Sequence, residues 1–260
     1  MSREILTTDN LSVSFGGVRA LVDVSVQVRG GEILSIIGPN GAGKTTFFNA
    51  VTGTYAPTNG RVFLAGAEIT GKKPHDVARL GIARSFQNLK PFAEMTLIEN
   101  VLVGREIHMG TGMLAAVLRT GGFSRDERRQ ERKARELLDF VGLGAKQDSL
   151  AANLTYGERK MLEIARALAL EPRLLLLDEP VAGMNPTETG FVMDLVRKIR
   201  GEGVTVVMIE HDMRMVMEIS DRIYVLDHGE LIAAGLPEEV RSDRRVIEAY
   251  LGGGKHAPAL

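Results

Sequence analysis

The sequence predicts an α/β fold in which a parallel sheet carries a glycine-rich loop, with an antiparallel β subdomain and an inserted α-helical subdomain. Three observations lead to this prediction. The glycine-rich loop lies between an apolar segment, 32–37, and a segment of helical character, 44–51. The segment 173–179 contains a run of leucines without polar alternation, which is typical of a parallel strand buried on both faces. Residues 88–162 have helical periodicity instead.

The composition is that of a globular chain. With 260 residues, 44% of them hydrophobic, the chain can bury one large core, or a core and a smaller lobe. Lys and Arg number 32 against 33 Asp and Glu, so the net charge favours neither a nucleic acid nor an anionic membrane. The absence of cysteine excludes a disulfide scaffold and thiolate chemistry, and it suits a reducing cytoplasm. No signal segment or membrane span is evident, so we expect a soluble protein that reaches a membrane only through partners.

Short strands are predicted near the start of the chain. Residues 11–15 alternate between polar and apolar, a glycine pair follows, and alternation resumes over 21–28 with valines on one face. We therefore expect an antiparallel hairpin before the glycine-rich loop. The segments 61–66 and 82–87 predict two more strands. The second ends in Gln87, where a sheet meets a loop, which is the usual place for ligands in such sheets.

The glycine-rich loop has the form that holds nucleotide phosphates. Glycines allow consecutive backbone N–H groups to turn inward without a Cβ clash, and the N-terminus of the following helix adds partial positive charge. Lys44 would neutralise the β- and γ-phosphates, and the Thr45 hydroxyl would ligate Mg²⁺. The alternative is an ordinary glycine-rich connection, against which the flanking strand and helix argue. ATP or GTP is predicted to bind to Gly38, Pro39, Asn40, Gly41, Ala42, Gly43, Lys44, Thr45 and Thr46.

Helix signals dominate the region 88–162. The segments 96–99 and 124–127 both have the capping-box form and precede helical periodicity. The segment 125–136 mixes charges of both signs and contains no aromatic residue. This composition predicts an exposed helix with ion pairs along it rather than a nucleic-acid surface.

Two later strands end in polar side chains at the edge of the sheet where the loop is also expected. One strand ends in Asp178 and Glu179. Asp178 is predicted to hold Mg²⁺ directly or through water, and Glu179 to polarise a water for attack on the γ-phosphate. Two solvated acids at a strand end are the alternative. The segment 204–211 ends in His211; a lone histidine is more often structural, but its place at a further strand end of this sheet favours a catalytic role.

Taken in order, these motifs resemble those of the ATP-binding subunits of ABC transporters. The corresponding positions are the Walker A loop 38–45, Gln87 of the Q-loop, the signature 154–158, Asp178 and Glu179 of Walker B, and the switch histidine His211. The resemblance covers the chain from about residue 6 to residue 251. The glycine loop alone would fit any P-loop NTPase, whereas the set in this order is specific.

The resemblance implies an ATP hydrolase that uses ATP and Mg²⁺ and is built on a P-loop NTPase (RecA-like) core. It implies that Glu179, His211 and Gln87 are catalytic, and that Thr45, Gln87 and Asp178 hold Mg²⁺. His211 would keep the γ-phosphate and the attacking water in line. Gln87 would sense Mg²⁺ and the γ-phosphate, while its loop meets the membrane subunits.

The signature departs from the family pattern Leu-Ser-Gly-Gly-Gln. It consists here of Leu154, Thr155, Tyr156, Gly157 and Glu158. The resemblance implies a head-to-tail dimer in which each ATP lies between the phosphate loop of one protomer and the signature of the other. Thr155 and Glu158 also match a capping box, a role that is compatible with phosphate contact. Tyr156 argues against backbone contacts that need glycine torsions at that position.

Two further positions bear on the site. Phe15 lies where the family stacks an aromatic ring on adenine, although a phenylalanine at a strand edge is also often part of the core. Asn185 stands where the family usually has Asp in the loop that follows the catalytic acid. The amide keeps the shape and hydrogen bonding of Asp and lacks its charge.

Four segments narrow the resemblance to the ATPases of bacterial branched-chain amino-acid importers, namely 153–157, 162–167, 178–186 and 246–252. The likeness is to the longer of the two ATPases that such importers pair. Urea and short-amide importers use closely similar ATPases and stay open as alternatives. A soluble ABC ATPase of the DNA-repair or translation type would carry coiled-coil arms or a second cassette, and a P-loop kinase or GTPase would lack the signature.

The resemblance also implies the partners of the chain. These are two integral-membrane permease subunits, a paralogous ATPase or a second copy of this chain as the other half of the dimer, and an extracytoplasmic solute-binding protein acting through the permease. No nucleic acid is expected. The implied location is peripheral, at the cytoplasmic face of the bacterial inner membrane. ATP would close the dimer, and hydrolysis would release it.

The predicted domain division follows from these assignments. Residues 1–87 form the N-terminal β subdomain and the first part of the nucleotide-binding core, and 88–162 form the helical subdomain with the signature. Residues 163–251 complete the core. Residues 252–260 are predicted to be a flexible tail.

Overall fold

The computed structural model describes residues 3–85, 91–105 and 121–251. The chain forms two compact units, one made of Met1–Arg84 with Arg173–Leu260 and the other of Ser85–Pro172. The predicted helical subdomain would have ended at residue 162, inside the helix Tyr156–Leu168. The second unit instead extends beyond the end of that helix, because a helix packs as one element. Within the described ranges, no helix is long and apolar enough to cross a membrane.

The first unit contains an antiparallel sheet and a larger, mainly parallel sheet. The strands are β1 (Glu4–Phe15), β2 (Val18–Val24), β3 (Gln27–Arg29), β4 (Ile33–Ile37), β5 (Asn59–Leu64), β6 (Ala67–Glu68), β7 (Ile82–Ser85), β8 (Leu174–Asp178), β9 (Thr205–Ile209), β10 (Arg222–Asp227) and β11 (Glu230–Gly235). The larger sheet has the order β11-β10-β4-β9-β8-β7. In it β10, β4, β9 and β8 run parallel, and β11 is antiparallel to β10. Every residue of β4, β8 and β9 is buried, which confirms the prediction made from the leucine run.

The antiparallel sheet has the order β2-β1-β5-β6, with β3 also paired to β1. The predicted hairpin is therefore present, but the single strand predicted over 21–28 is wrong. Asp23 has a left-handed backbone, with φ 48°, and its amide donates to the Ser12 hydroxyl at 2.9 Å. This irregularity shifts the alternation, so that Leu21 and Val24 are buried while Val22 is half-buried. The division into β2 and β3 lies farther along, at residues 25 and 26, where the Asn10 amide donates to the Ser25 hydroxyl and the Val26 amide donates to the Thr8 hydroxyl, each at 2.9 Å.

Helices cover the sheets and make up the second unit. They are α1 (Lys44–Val51), α2 (Pro74–Arg79), α3 (Leu97–Arg105), α4 (Gly121–Phe140), α5 (Tyr156–Leu168), α6 (Pro186–Gly201), α7 (Met213–Ile219), α8 (Pro237–Ser242) and α9 (Arg244–Leu251). The α1 helix has the predicted bounds, and its Phe47 and Phe48 are fully buried in the core of the first unit. The β10–β11 hairpin turns at His228 and Gly229, and both have a positive φ.

In the second unit, α3, α4 and α5 pack on one another. The predicted capping box at the start of α3 is confirmed, since the Thr96 amide donates to the Glu99 carboxylate at 2.7 Å. The box predicted at 124–127 is wrong, because α4 begins earlier, at Gly121, and already runs through these positions. The buried Arg105 guanidinium donates to Gln130 of α4 at 2.8 Å and to Glu171 at 2.9 Å. These bonds fix α3 against α4 and the segment after α5.

Candidate functional site

The glycine loop of the first unit owes its shape to close backbone approaches. Gly38, Gly41 and Gly43 all have positive φ, at 149°, 83° and 98°. A Cβ atom at Gly38 would overlap the carbonyl oxygen of Leu226, and one at Gly43 would lie 2.6 Å from the carbonyl oxygen of Ala20. At Gly41 a Cβ atom would face open space. Glycine is therefore required sterically at the two ends of the loop and only for its torsion in the middle.

The N-terminus of α1 is not capped by a side chain. Its N-cap residue is Gly43, and the first turn contains no acidic residue. Because the first amides of a helix have no partner within the helix, they are available to an anion here. The Lys44 ammonium donates to the carbonyl oxygens of Gly38 and Pro39 at 2.7 and 2.9 Å, so it lies over the loop. Burial lowers the pKa of Lys44, while the charges of Glu179 and Asp178 act to raise it.

The predicted Mg²⁺ ligand Asp178 and the predicted catalytic residues Glu179 and His211 lie at the ends of neighbouring parallel strands, β8 and β9. Asp178 is the last residue of β8 and is buried. Glu179 follows in a left-handed conformation, with φ 48°, and its amide donates to the carbonyl oxygen of Ile209 at 2.9 Å. A left-handed non-glycine residue is uncommon and is a feature of functional sites. The Glu179 carboxylate lies 3.9 Å from Nδ1 of His211, whose side chain is 64% exposed.

Arg84 is a site residue that the sequence reasoning missed. It lies in β7, and its guanidinium donates to the Asp178 carboxylate and to the side-chain oxygen of Asn49, each at 2.6 Å. The guanidinium also lies over the ring of Phe48, 5.3 Å from its centroid. A signal was present in the sequence, since an arginine in the middle of a predicted buried strand needs an acidic partner.

Glu210 is a second residue that was missed. It is 1% exposed, and burial raises the pKa of its carboxyl group. The carboxylate accepts from the amide of Val181 at 3.0 Å, and from the amides of His211 and Asp212 at 3.0 and 3.3 Å. It therefore ties the segment after Glu179 to the segment that carries His211. The signal was a carboxylate directly after the apolar strand β9.

Phe15 ends β1 and is not part of the core. The residue is 46% exposed, and its ring makes an edge contact with the ring of Tyr55 at a centroid distance of 5.1 Å. The ring therefore has surface available for a ligand. Gln87 lies outside the described residues.

The signature begins helix α5 in the second unit. Thr155 is its N-cap, and the capping box is complete, because the Thr155 amide donates to Glu158 at 3.0 Å and the Glu158 amide donates to Thr155 at 3.3 Å. Tyr156 is 51% exposed, and neither Tyr156 nor Gly157 has a positive φ. Tyrosine is thus accommodated without glycine torsions at the first helical position. Leu154 is buried.

Two neighbouring charges distinguish this helix start. The Lys146 ammonium donates to the Glu158 carboxylate at 2.5 Å, and this bond is the main reason why the pKa of Glu158 is lowered.

In the first unit, Asn185 caps the start of helix α6. Its side-chain oxygen accepts from the amides of Thr187 and Glu188 at 3.0 Å each. The side chain of Asn185 is thus the N-cap of α6, at the position where the family usually has Asp.

The comparisons with known proteins agree over nearly the whole chain. The ABC transporter family matches residues 21–182, and the branched-chain amino acid ATP-binding cassette transporter family matches residues 230–256. The high-affinity branched-chain amino acid transport ATP-binding protein BraF of Pseudomonas aeruginosa is 47% identical over 97% of this chain and 99% of that protein. The corresponding protein LivG of Salmonella typhimurium is 44% identical over the same shares.

A solved structure gives the same result at the level of the fold. The ATP-binding cassette of an ABC transporter, in its ADP conformation, has a TM-score of 0.84 and 37% identity, covering 96% of this chain and 99% of that chain. The comparisons confirm the predicted resemblance, the predicted P-loop NTPase fold class and the predicted ATPase activity.

Proposed function

The chain belongs to the ABC transporter family, and we propose that it is the ATP-hydrolysing subunit of a bacterial importer for branched-chain amino acids. The observation that carries the proposal is the assembly of Lys44, Asp178, Glu179 and His211 around one glycine loop. The substrate class is supported by the names of the most similar relatives and by the family that matches the end of the chain.

The nucleotide would be held by the glycine loop and by Phe15. The uncapped N-terminus of α1 and the Lys44 ammonium supply positive charge for the phosphates. Lys44 already donates to loop carbonyl oxygens, and it would exchange these for phosphate oxygens. The exposed ring of Phe15 supports stacking on adenine, because an aromatic face binds a flat heterocycle.

The residues at the loop fit Mg²⁺ by the chemistry of their donors. Thr45 offers a hydroxyl in the first turn of α1, Asp178 offers a carboxylate at the end of β8, and Gln87 would offer an amide oxygen. These are oxygen donors, which Mg²⁺ prefers, and it commonly takes few protein ligands beside phosphate and water. Bound Mg²⁺ would neutralise charge on the phosphates.

Hydrolysis would depend on Glu179 and His211. Glu179 would accept a proton from water as the water oxygen attacks the γ-phosphorus and the bond to the ADP oxygen breaks. His211 is positioned beside Glu179, at 3.9 Å, to hold the water and the γ-phosphate in line. Glu210 would keep the two segments in register through its three backbone bonds.

The signature would act on the ATP of a second subunit in a head-to-tail dimer with a paralogue or a second copy. The amides of Tyr156 and Gly157 have no partner within α5 and would face that phosphate.

The permease subunits would dock on the second unit. Its exposed apolar residues Phe92, Met95 and Leu150 support docking of two permease subunits at the cytoplasmic face of the inner membrane. A solute-binding protein would act through the permease.

The proposal is tested by trapping the closed complex. A tagged Glu179→Gln variant should bind ATP with Mg²⁺ without hydrolysing it, and a pull-down from native cells should contain two permease subunits and a second ATPase. The control is Glu202→Gln, at an exposed acid outside the site. Loss of leucine uptake in Glu179→Gln cells would support the substrate class, whereas loss of urea uptake alone would contradict it. Ribosomal or DNA-repair partners without a membrane protein would contradict the transport role.

A further inference from the structure

We propose that Arg84 is a positioning residue for Mg²⁺ binding, which sets the Asp178 carboxylate relative to helix α1. Asp178 is the Mg²⁺ ligand of the proposed function, on which this inference rests. Arg84 itself would contact neither the metal nor the nucleotide. Its effect would pass through the two side chains to which it donates.

The geometry is that of a buried clamp. The side chains of Arg84 and Asp178 are 6% and 1% exposed, and their closest nitrogen and oxygen atoms are 2.6 Å apart. A second guanidinium nitrogen donates to the Asn49 side-chain oxygen at 2.6 Å. The central guanidinium carbon also lies over the ring of Phe48, 5.3 Å from its centroid, and this ring is fully buried.

These contacts join three elements that meet at the site. Asn49 and Phe48 belong to α1, whose first turn carries Lys44 and Thr45, while Asp178 ends β8. Arg84 belongs to β7, and Gln87 follows it three positions later in the sequence. Through Arg84, the helix with the predicted Mg²⁺ hydroxyl is therefore connected to the strand with the predicted Mg²⁺ carboxylate.

Two physical effects of Arg84 on Mg²⁺ oppose each other. Its positive charge would repel a dication that binds to the same carboxylate. Its hydrogen bonds hold the carboxylate in one orientation, and loss of such an outer partner typically costs about 10–100-fold in metal affinity. We infer that positioning outweighs repulsion.

The pair is specific for arginine. A guanidinium presents several donors in a rigid plane, so it can reach Asp178 and Asn49 together while its carbon lies over Phe48. A lysine keeps the charge but has a single ammonium, which lacks this planar set of donors. Arg84→Lys therefore separates positioning from charge.

The test measures Mg²⁺ rather than activity. Purified chains bind a fluorescent ATP analogue in EDTA and then during a Mg²⁺ titration, and the Mg²⁺ concentration at half of the maximal gain in binding is recorded. For Arg84→Lys this concentration should rise about 10–100-fold, with analogue binding in EDTA unchanged. Asn49→Ala, which leaves the ion pair in place, should give a smaller rise.

The matched control is Arg61→Lys. Arg61 also pairs with an aspartate, Asp9, at 2.9 Å and also lies over a ring, Phe63, at 5.5 Å, but it is 58% exposed in the antiparallel sheet. Its replacement should leave the Mg²⁺ titration unchanged. Thermal unfolding of each variant shows whether it is folded; if Arg84→Lys does not fold, Asn49→Ala decides.

Four results would overturn the inference. An unchanged Mg²⁺ requirement in folded Arg84→Lys would make Arg84 merely structural. A lower requirement would show that repulsion dominates, and equal weakening in EDTA would show general damage to the loop. If the parent chain itself shows no Mg²⁺ dependence, the proposed Mg²⁺ site fails, and this inference fails with it.

Discussion

Two helices begin at positions assigned to nucleotide phosphates, and their N-termini are built differently. Helix α1 begins after Gly43, which has no side chain, whereas α5 begins after Thr155, whose hydroxyl forms a complete capping box with Glu158. Amides that already have an acceptor are less available to an anion. The start of α1 is thus ready for phosphate within one chain, while part of the first turn of α5 is satisfied internally.

The charged side chains at the two helix starts also differ, and they favour phosphate binding more at α1 than at α5. The first turn of α1 carries Lys44 and contains no acid, so the helix dipole and the side chain act together. The first turn of α5 contains Glu158, whose negative charge opposes the dipole's attraction for phosphate and is offset by Lys146. From this difference we expect the phosphate loop to bind nucleotide in a single chain, and the signature to depend on the Lys146–Glu158 pair and on a second subunit.

The largest effect is expected from Gly38→Ala, which tests whether the phosphate loop depends on backbone shape. A Cβ atom would overlap the Leu226 carbonyl oxygen, so the loop must shift and misplace its amides. Removal of one aligned donor from an oxyanion hole costs about 10²–10³-fold in kcat. By analogy we expect a loss of about 10²-fold in ATP affinity, measured by equilibrium binding. Gly66→Ala is the control, because its φ of 83° is also positive but its Cβ would meet nothing within 4 Å. Equal losses in both variants would contradict the role of close approach.

The next effect concerns the charge pair at the signature. Lys146→Ala should leave ATP binding by the single chain unchanged but weaken ATP-driven dimerisation, because Glu158 then faces the partner's phosphate uncompensated. We expect about a tenfold loss, measured by sedimentation of a hydrolysis-deficient chain, which corresponds to about 1.4 kcal/mol.

The double variant Lys146→Ala with Glu158→Gln supplies the control for this charge effect. Without the acid there is no charge to compensate, so dimerisation should return toward that of the parent chain. A double variant as weak as Lys146→Ala alone would show that Lys146 acts in another way. The comparison of the two helix starts would then lose its electrostatic part.

A smaller effect is expected at the cap itself. Thr155→Ala removes the hydroxyl that accepts from the Glu158 amide and should lower the free energy of unfolding by about 1 kcal/mol. Asn185→Ala, at the cap of α6, should lower it by a similar amount, as thermal or denaturant unfolding can measure. Thr155→Ser should restore the cap. No change in Thr155→Ala would mean that the box contributes nothing to α5.

A pH dependence is also expected along α5. Burial raises the pKa of Glu163 from 4.5 to about 7, against the attraction of Lys160, whose ammonium lies 3.9 Å away. Between these values the folded chain holds a proton that the unfolded chain has lost. The free energy of unfolding should therefore fall as the pH rises through this range, and Glu163→Gln should reduce that fall. Parallel stability profiles for the two chains would contradict this assignment.

Local patterns allowed much of the fold and the site to be predicted. The glycine loop, the capping box of Thr155 and Glu158, and the buried strand β8 depend on residues close together in the chain. The prediction of one strand over 21–28 was wrong because residues 25 and 26 bond to side chain or backbone of another strand outside the regular ladder, Ser25 with the Asn10 amide and Val26 with the Thr8 hydroxyl. The alternation of polar and apolar residues along the sequence does not reveal such a bond.

The sequence by itself determined the phosphate loop, the two acids, the histidine and the signature, because torsion, capping and hydrophobic periodicity are properties of neighbouring residues. Only the tertiary structure decided that Arg84 holds Asp178, 94 positions away, and that Glu210 holds Val181, 29 positions away. Each of these bonds joins strands or segments that are adjacent only in the folded sheet. A charged residue within a predicted strand indicates that a partner must exist, but the packing of the folded chain decides which residue that partner is.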